Sequence, residues 1–179
     1  MKAPVNEILT ALFLGSNIGN FGRDESRQFL HAVRKLLRPG DALLLGADLK
    51  KSRDVLIPAY DDSLGVTAAF NLNLLSRINR ELGGNFDVSK FQHSAIFNEE
   101  LGRIEIHLVS REPQVVRIRA IDLEITFAEG ETIRTENSYK FDRDVLAVLA
   151  RDTGFSLANT WYDDGHLFSF NLFVAQSPK

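Results

Sequence analysis

The chain has 179 residues, enough for one medium domain or two small ones. Its 21 Lys and Arg against 24 Asp and Glu leave a formal charge of -3, which argues against nucleic acid as the main partner, since phosphate binding needs a basic surface. With no cysteine there is no disulfide framework, thiolate zinc site or thiol nucleophile, and the apolar run at residues 8–14 is far shorter than the ~20 residues of a membrane span. No small-residue cleavage site follows that run, so the expected location is the cytoplasm, with no membrane partner.

Residues 9–14 read as a buried strand that runs into Gly15-Ser16-Asn17-Ile18-Gly19-Asn20, a Gly-rich loop with a helix after it. Gly15 and Gly19 carry no Cβ, so a ligand can approach the backbone there. In open α/β sheets ligands sit at the carboxyl ends of strands. A doubly wound sheet does not normally begin with its ligand loop, so the chain is expected to be the second half of something larger. Phe29, Leu30, Val33, Leu36 and Leu37 follow at helical spacing, with Asp24 and Glu25 at the start and Arg34, Lys35 and Arg38 at the end, as a helix dipole favours. Pro39-Gly40 stops that helix. Residues 42–45 are a short continuous apolar run, expected of a strand covered on both faces, and Gly46-Ala47-Asp48 closes it.

Residues 50–54 are polar and mark a boundary. Tyr60-Asp61-Asp62 precedes a helical segment with Val66, Phe70, Leu74, Ile78 and Leu82 four apart, ended by Gly83-Gly84. Ile104, Ile106 and Leu108 alternate with Glu105 and His107. Ile121, Leu123, Ile125 and Phe127 alternate with Asp122, Glu124 and Thr126. Both patterns predict half-buried antiparallel strands, with a turn at Glu129-Gly130. Asp142 can cap a helix carrying Val145, Leu146, Val148 and Leu149, and Gly154 can end it. Residues 155–161 and 167–174 are apolar runs joined by Asp163-Asp164-Gly165, a closing hairpin with Trp161 and Phe168 in its core. Residues 1–50 and 140–179 therefore read as one α/β layer, with 51–139 inserted as an α+β module.

Chemistry is carried by few residues. If residues 133–141 form a strand, Glu136 and Ser138 are neighbours on one face, roughly 6.6 Å apart. An acid and a hydroxyl at that spacing can hold two polar atoms of one small ring; a solvated strand face is the other reading. Asn20 can donate and accept at once, which suits a substrate with both amine and carboxylate, or it is a turn residue. Tyr60 can offer a phenol to a ligand, or pack beside acids that cap a helix. The four histidines show no metal-ligand spacing, so no metal is expected. No Ser lies in a Gly-x-Ser-x-Gly elbow, and the Gly-rich loop lacks the Lys-Ser or Lys-Thr of a phosphate loop.

Several longer stretches resemble one family. They are Leu14-Gly15-Ser16-Asn17-Ile18-Gly19-Asn20, Pro39-Gly40-Asp41-Ala42-Leu43-Leu44-Leu45-Gly46-Ala47-Asp48, Ala59-Tyr60-Asp61-Asp62, Gly65-Val66-Thr67-Ala68-Ala69-Phe70-Asn71, Asn79-Arg80-Glu81-Leu82 and Thr135-Glu136-Asn137-Ser138-Tyr139-Lys140-Phe141. In order, across nearly the whole chain, they resemble the histidine N-alpha-methyltransferases. Those enzymes use S-adenosylmethionine to make trimethylhistidine (hercynine) for ergothioneine; fungal enzymes acting on prenylated tryptophan are related. The resemblance implies a partial Rossmann-like methyltransferase sheet with an inserted substrate-binding module. It implies that Asn20 and Tyr60 contact the amino acid, at the loop that Gly15 leaves open, and that Glu136 and Ser138 hold the imidazole. Ile106 falls where the family often has a Met lining the pocket. The family's nucleotide-binding loop, ribose acid and adenine-binding pair have no match here. The resemblance therefore implies the C-terminal half of such an enzyme, with weak or no binding of S-adenosylmethionine by this chain alone and no general base identified. A non-catalytic paralogue that binds an amino acid or a partner chain is the alternative. Without strands beyond residues 9–14, that strand's open edge is expected to support self-association.

Overall fold

A computed structural model describes residues 8–177. In chain order the elements are β1 (Thr10–Phe13), α1 (Arg23–Leu36), β2 (Ala42–Asp48), α2 (Arg53–Tyr60), α3 (Val66–Leu82), β3 (Phe91–Asn98), β4 (Arg103–Ser110) and β5 (Gln114–Ile118). They continue with β6 (Leu123–Phe127), β7 (Thr132–Tyr139), α4 (Arg143–Asp152), β8 (Phe155–Tyr162) and β9 (Phe168–Ala175). The fold is mixed α/β and divides into two compact units. The first takes the chain up to Lys51 and again from Ser138; the second is Ser52–Asn137.

The first unit is built on a sheet of order β1-β2-β9-β8. β1 is parallel to β2, while β9 is antiparallel to both β2 and β8. The core gathers Ile18, Leu30, Leu43, Leu45, Leu146, Phe155 and Phe173. Several polar side chains are buried in this unit as well, Asn171 among them. Asn171 has no solvent exposure, and its amide donates to Leu45 O (3.3 Å) and Ser169 Oγ (2.9 Å) while accepting from Thr160 Oγ1 (3.1 Å). The cost of burying that amide is thereby offset.

Several expectations are corrected here. β2 does not close at Gly46: Gly46, Ala47 and Asp48 pair with Phe170, Ser169 and Phe168. A Cβ on Gly46 would come within 2.9 Å of the Phe168 ring, so this glycine answers to packing rather than to a turn. Gly19 is likewise buried, and a Cβ there would sit 2.8 Å from Tyr139 O. Its missing side chain admits the protein's own strand, not a ligand. Leu36 is 81% exposed while Leu37 is buried, because α1 ends at Leu36 and the extended backbone at Leu37 turns that side chain inward. Trp161 is 48% exposed instead of lying in the hairpin core. A bulge between Leu157 and Asn159 shifts the alternation of β8 by one residue, so the face that buries Phe155 is not the face that carries Trp161. The hairpin turn itself is as expected, with Asp163 accepting from the amides of Leu167 and Phe168 at 2.7 Å each.

The second unit holds a sheet of order β3-β4-β7 and a two-stranded β5-β6 ribbon. Leu75, Phe86, Phe91, Leu108, Val116 and Phe127 form its main core; Leu56, Ile104 and Ile106 form a smaller one. β4 alternates strictly, with Ile104, Ile106 and Leu108 buried. α3 has the predicted length, but its four-apart row is not its buried face. Asn71 and Leu75 are buried, while Val66 is 66% and Phe70 is 78% exposed. β6 starts at Leu123, since Ile121 ends a 3-10 turn and Asp122 takes a left-handed conformation. α2, β3 and β5 have no counterpart in the sequence reading.

Candidate active site

In the second unit a cavity of about 410 Å³ is lined by Tyr60, Phe70, Asn71, Ile106, Thr135 and Glu136, among others. Three residues singled out in the sequence, Tyr60, Ile106 and Glu136, thus share one cavity. Tyr60 is the last residue of α2. Its carbonyl oxygen is 2.8 Å from His93 Nε2, and His93 Nδ1 is 3.0 Å from Asn71 Nδ2, which also donates to His107 O at 3.2 Å. A carbonyl only accepts, so the Asn71 atom at that distance is its amide nitrogen and His93 Nδ1 accepts from it. In this arrangement His93 Nε2 donates to Tyr60 O. This chain ties α2, α3, β3 and β4 together at residues that line the cavity, Tyr60 and Asn71. Thr135, another lining residue, donates its Oγ1 hydrogen to Ile106 O at 3.2 Å, which pins β7 to β4 beside Glu136. Glu136 is half-buried and Ile106 is buried.

Asp62 lies just past Tyr60. Its carboxylate accepts from the amides of Thr67 (2.8 Å) and Val66 (3.0 Å), open donors at the start of α3. The Thr67 amide and hydroxyl, then the Val66 amide, hold its pKa down at about 2. An unfolded Asp titrates near ~3.9, so the native state gains from the ionised form above that pH and loses the gain as pH falls through about 2. Protection of the Val66 and Thr67 amides, measured against their intrinsic exchange rates, is expected to fall between pH 4 and pH 2, and Asp62→Asn is expected to abolish that acid dependence. An unchanged profile in Asp62→Asn would remove Asp62 as its source.

The other predicted residues lie in the first unit. Gly15 is exposed with φ +77°, and a Cβ there would meet nothing within 4 Å. Ser16 follows at φ +61°, and its Oγ accepts from the Asp48 amide at 2.7 Å. That bond compensates for a left-handed non-glycine residue. Asn20 closes a 3-10 turn, Asn17–Asn20, and is exposed. Ser138 is 8% exposed and accepts from Lys140 Nζ at 2.7 Å. The Lys140 side chain is fully buried, with Nζ 2.7 Å from Asp48 Oδ2, and Asp48 Oδ1 is 2.5 Å from Lys51 Nζ. The Asp48–Lys140 pair and the His93–Asn71 chain escaped the sequence reading. Lys140 stood inside a quoted motif, but nothing in residue spacing links it to Asp48. Among the described residues no group of three or more His, Asp or Glu converges as a metal site would, and no helix is long and apolar enough to cross a membrane.

The chain resembles known proteins over most of its length. A family model described as a histidine-specific, SAM-dependent methyltransferase matches residues 2–175. The histidine N-alpha-methyltransferase of Mycolicibacterium smegmatis is 46% identical over 164 residues, covering 91% of this chain and 51% of that protein. The enzyme of the same name from Mycobacterium tuberculosis is 44% identical over 161 residues, covering 90% and 50%. An L-tryptophan methyltransferase of Psilocybe serbica is 31% identical over 159 residues, covering 86% and 43%. The chain spans about half the length of the curated relatives it matches. At this extent of match, the chain belongs to the family of SAM-dependent, histidine-specific methyltransferases.

Proposed function

We propose that the protein transfers methyl groups to the α-amino nitrogen of L-histidine, giving trimethylhistidine for ergothioneine biosynthesis. The observation that carries this is the cavity in which Tyr60, Ile106 and Glu136 meet, in a chain 46% identical to a histidine N-alpha-methyltransferase. S-adenosylmethionine, when bound, supplies an electrophilic methyl on a sulfonium. The open strand end at Gly15, where no atom would meet a Cβ within 4 Å, suits a ligand approaching the backbone. In this reading Asn20 and Tyr60 hold the amine and carboxylate end, Glu136 accepts from an imidazole N–H, Ser138 meets the second ring nitrogen, and Ile106 forms an apolar wall. An ammonium has no lone pair, so the α-nitrogen reacts as the free amine. The residues act by proximity and orientation. A cytoplasmic location, where free histidine is available, belongs to the same reading.

Incubating the full-length gene product with S-adenosylmethionine and either histidine or tryptophan tests it by mass spectrometry of the products. Trimethylhistidine is expected. Methylated tryptophan with untouched histidine overturns the substrate, and binding without any product supports the non-catalytic alternative.

We propose also that this chain self-associates through β1. Among the described residues β1 pairs only with β2; Leu12 within it is 63% exposed and Leu9, just before it, is 57% exposed. Such an apolar strand edge recruits another strand. Light scattering of this chain at increasing concentration is expected to show a rising mass; a monomer mass throughout refutes it.

A further inference from the structure

A side-chain amide donates from its nitrogen and accepts at its oxygen, and the group is planar. Asn71 has both of its donors committed. One N–H goes to His93 Nδ1 at 3.0 Å and the other to His107 O at 3.2 Å. These two bonds fix the direction of Oδ1. Among the described residues Oδ1 accepts no hydrogen bond. The side-chain atoms buried without a partner among those residues are His107 Nε2 and Asn137 Oδ1. Asn71 Oδ1 is not one of them, so solvent reaches it although the residue is only 7% exposed. Asn71 lines the cavity, and its open acceptor faces there. His93 holds the arrangement. Its side chain is 2% exposed, and with Nε2 donating to Tyr60 O at 2.8 Å, Nδ1 is left to accept. Turning the amide over would set Oδ1 against two acceptors, His93 Nδ1 and His107 O. All of these residues belong to the second unit.

We infer that Asn71 Oδ1 accepts an N–H of the substrate amine, and that His93 is the positioning residue that keeps this acceptor turned into the cavity. The inference rests on the histidine reading above. His93 joins Asn71 to Tyr60, the residue assigned there to the amino acid end. The acceptor is neutral, and that suits the nitrogen that must react. A carboxylate in its place would favour the ammonium and tie up the lone pair. An amide oxygen takes an N–H and leaves the amine free. As the N–C bond forms and the methyl–sulfur bond breaks, sulfur keeps the bonding pair and positive charge grows on nitrogen. The contact with Oδ1 strengthens with that charge, so it is worth more in the transition state than in the bound substrate. The nitrogen then releases a proton to solvent before the next transfer. It carries two N–H bonds into the first transfer, one into the second and none into the third. Asn71 thus assists the first two transfers and not the last.

The test uses the full-length gene product in steady-state kinetics with histidine and with N,N-dimethylhistidine, the substrates of the first and last transfers. Asn71→Leu keeps the outline of the side chain and removes the acceptor. It is expected to lower kcat/KM for histidine about tenfold more than for N,N-dimethylhistidine. Any loss of folded enzyme lowers both values by one factor, so their ratio reports the contact. Equal factors overturn the inference while leaving histidine methylation standing. Two further variants each keep one contact of His93. His93→Asn retains an acceptor near the place of Nδ1 and is expected to keep the wild-type ratio. His93→Gln retains a donor toward Tyr60 O without an acceptor for Asn71, and is expected to shift the ratio as Asn71→Leu does, which carries the prediction if Asn71→Leu fails to fold. The reverse pattern, or no shift in either, overturns the role of His93. A wild type that methylates neither substrate overturns the histidine reading, and this inference with it.

Discussion

Phe173→Ala is expected to cost the first unit about 3–5 kcal/mol, the usual range for deleting a buried aromatic ring. Phe173 has no solvent exposure and lies in β9, between Leu43 of β2 and Leu157 of β8. Its ring centre is 6.0 Å from that of Phe155, and both belong to the cluster that includes Leu30 and Leu146. The neighbours are fixed by two strand ladders and cannot collapse into the space left by the ring. Domains are stable by only about 5–15 kcal/mol, so the variant should be largely unfolded or close to it. Denaturant titration followed by circular dichroism checks this, with Phe173→Leu as the milder comparison. A Phe173→Ala midpoint equal to wild type would show that the core is not organised around this side chain.

Glu136→Ala is expected to lower kcat/KM for histidine roughly ten- to a hundredfold, about 1–3 kcal/mol. The direction follows from where the residue sits. Glu136 lines the cavity and is half-buried, so a ring N–H placed against it would lose its acceptor away from bulk water. Beside it, the Thr135 hydroxyl donates to Ile106 O. Kinetics of Glu136→Ala, read beside its thermal unfolding, separate a substrate contact from a loss of stability. Unchanged kcat/KM would remove Glu136 from the substrate site.

Elements with clean periodicity or clear punctuation were legible in the sequence. β4 alternates without a break, α4 starts on an Asp142 side chain that accepts from the Val145 amide at 2.8 Å, and β8 and β9 flank an Asp-rich turn. The missed elements each break a local rule. α2 contains Pro58 and buries only Leu56, so it shows no apolar stripe. β3 places His93 at an inward position and leaves Ile96 49% exposed, which scrambles the alternation. His93 is tolerated there because Asn71 and Tyr60 O satisfy both ring nitrogens, a fact visible only in three dimensions. β5 is five residues long with Val115 51% exposed. The same division holds for the site. Glu136 and Ser138 lie two apart on β7, which period alone predicts, but Glu136 lines the cavity while Ser138 accepts from Lys140 in the first unit. The meeting of Tyr60, Ile106 and Glu136 could not be predicted that way, because it depends on how α2, β4 and β7 pack. Lys140 and Asp48, far apart in the chain, left no trace in spacing at all.

The place of β9 inside its sheet has a consequence for how the chain is made. β2 pairs from Ala42↔Val174 to Asp48↔Phe168, so one side of this strand stays empty until residue 174 has left the ribosome. Ser52–Asn137 is contiguous and meets no such wait. Synthesis therefore separates the two units in time, with Leu43 and Leu45 of β2 unshielded while the intervening residues emerge. Long-range pairings of this kind form slowly, and the chain is prone to aggregate until they do. Substitutions that delay closure of the β8–β9 hairpin should thus reduce soluble yield by more than their effect on equilibrium stability, and chaperone supply should matter most until that hairpin has closed on β2.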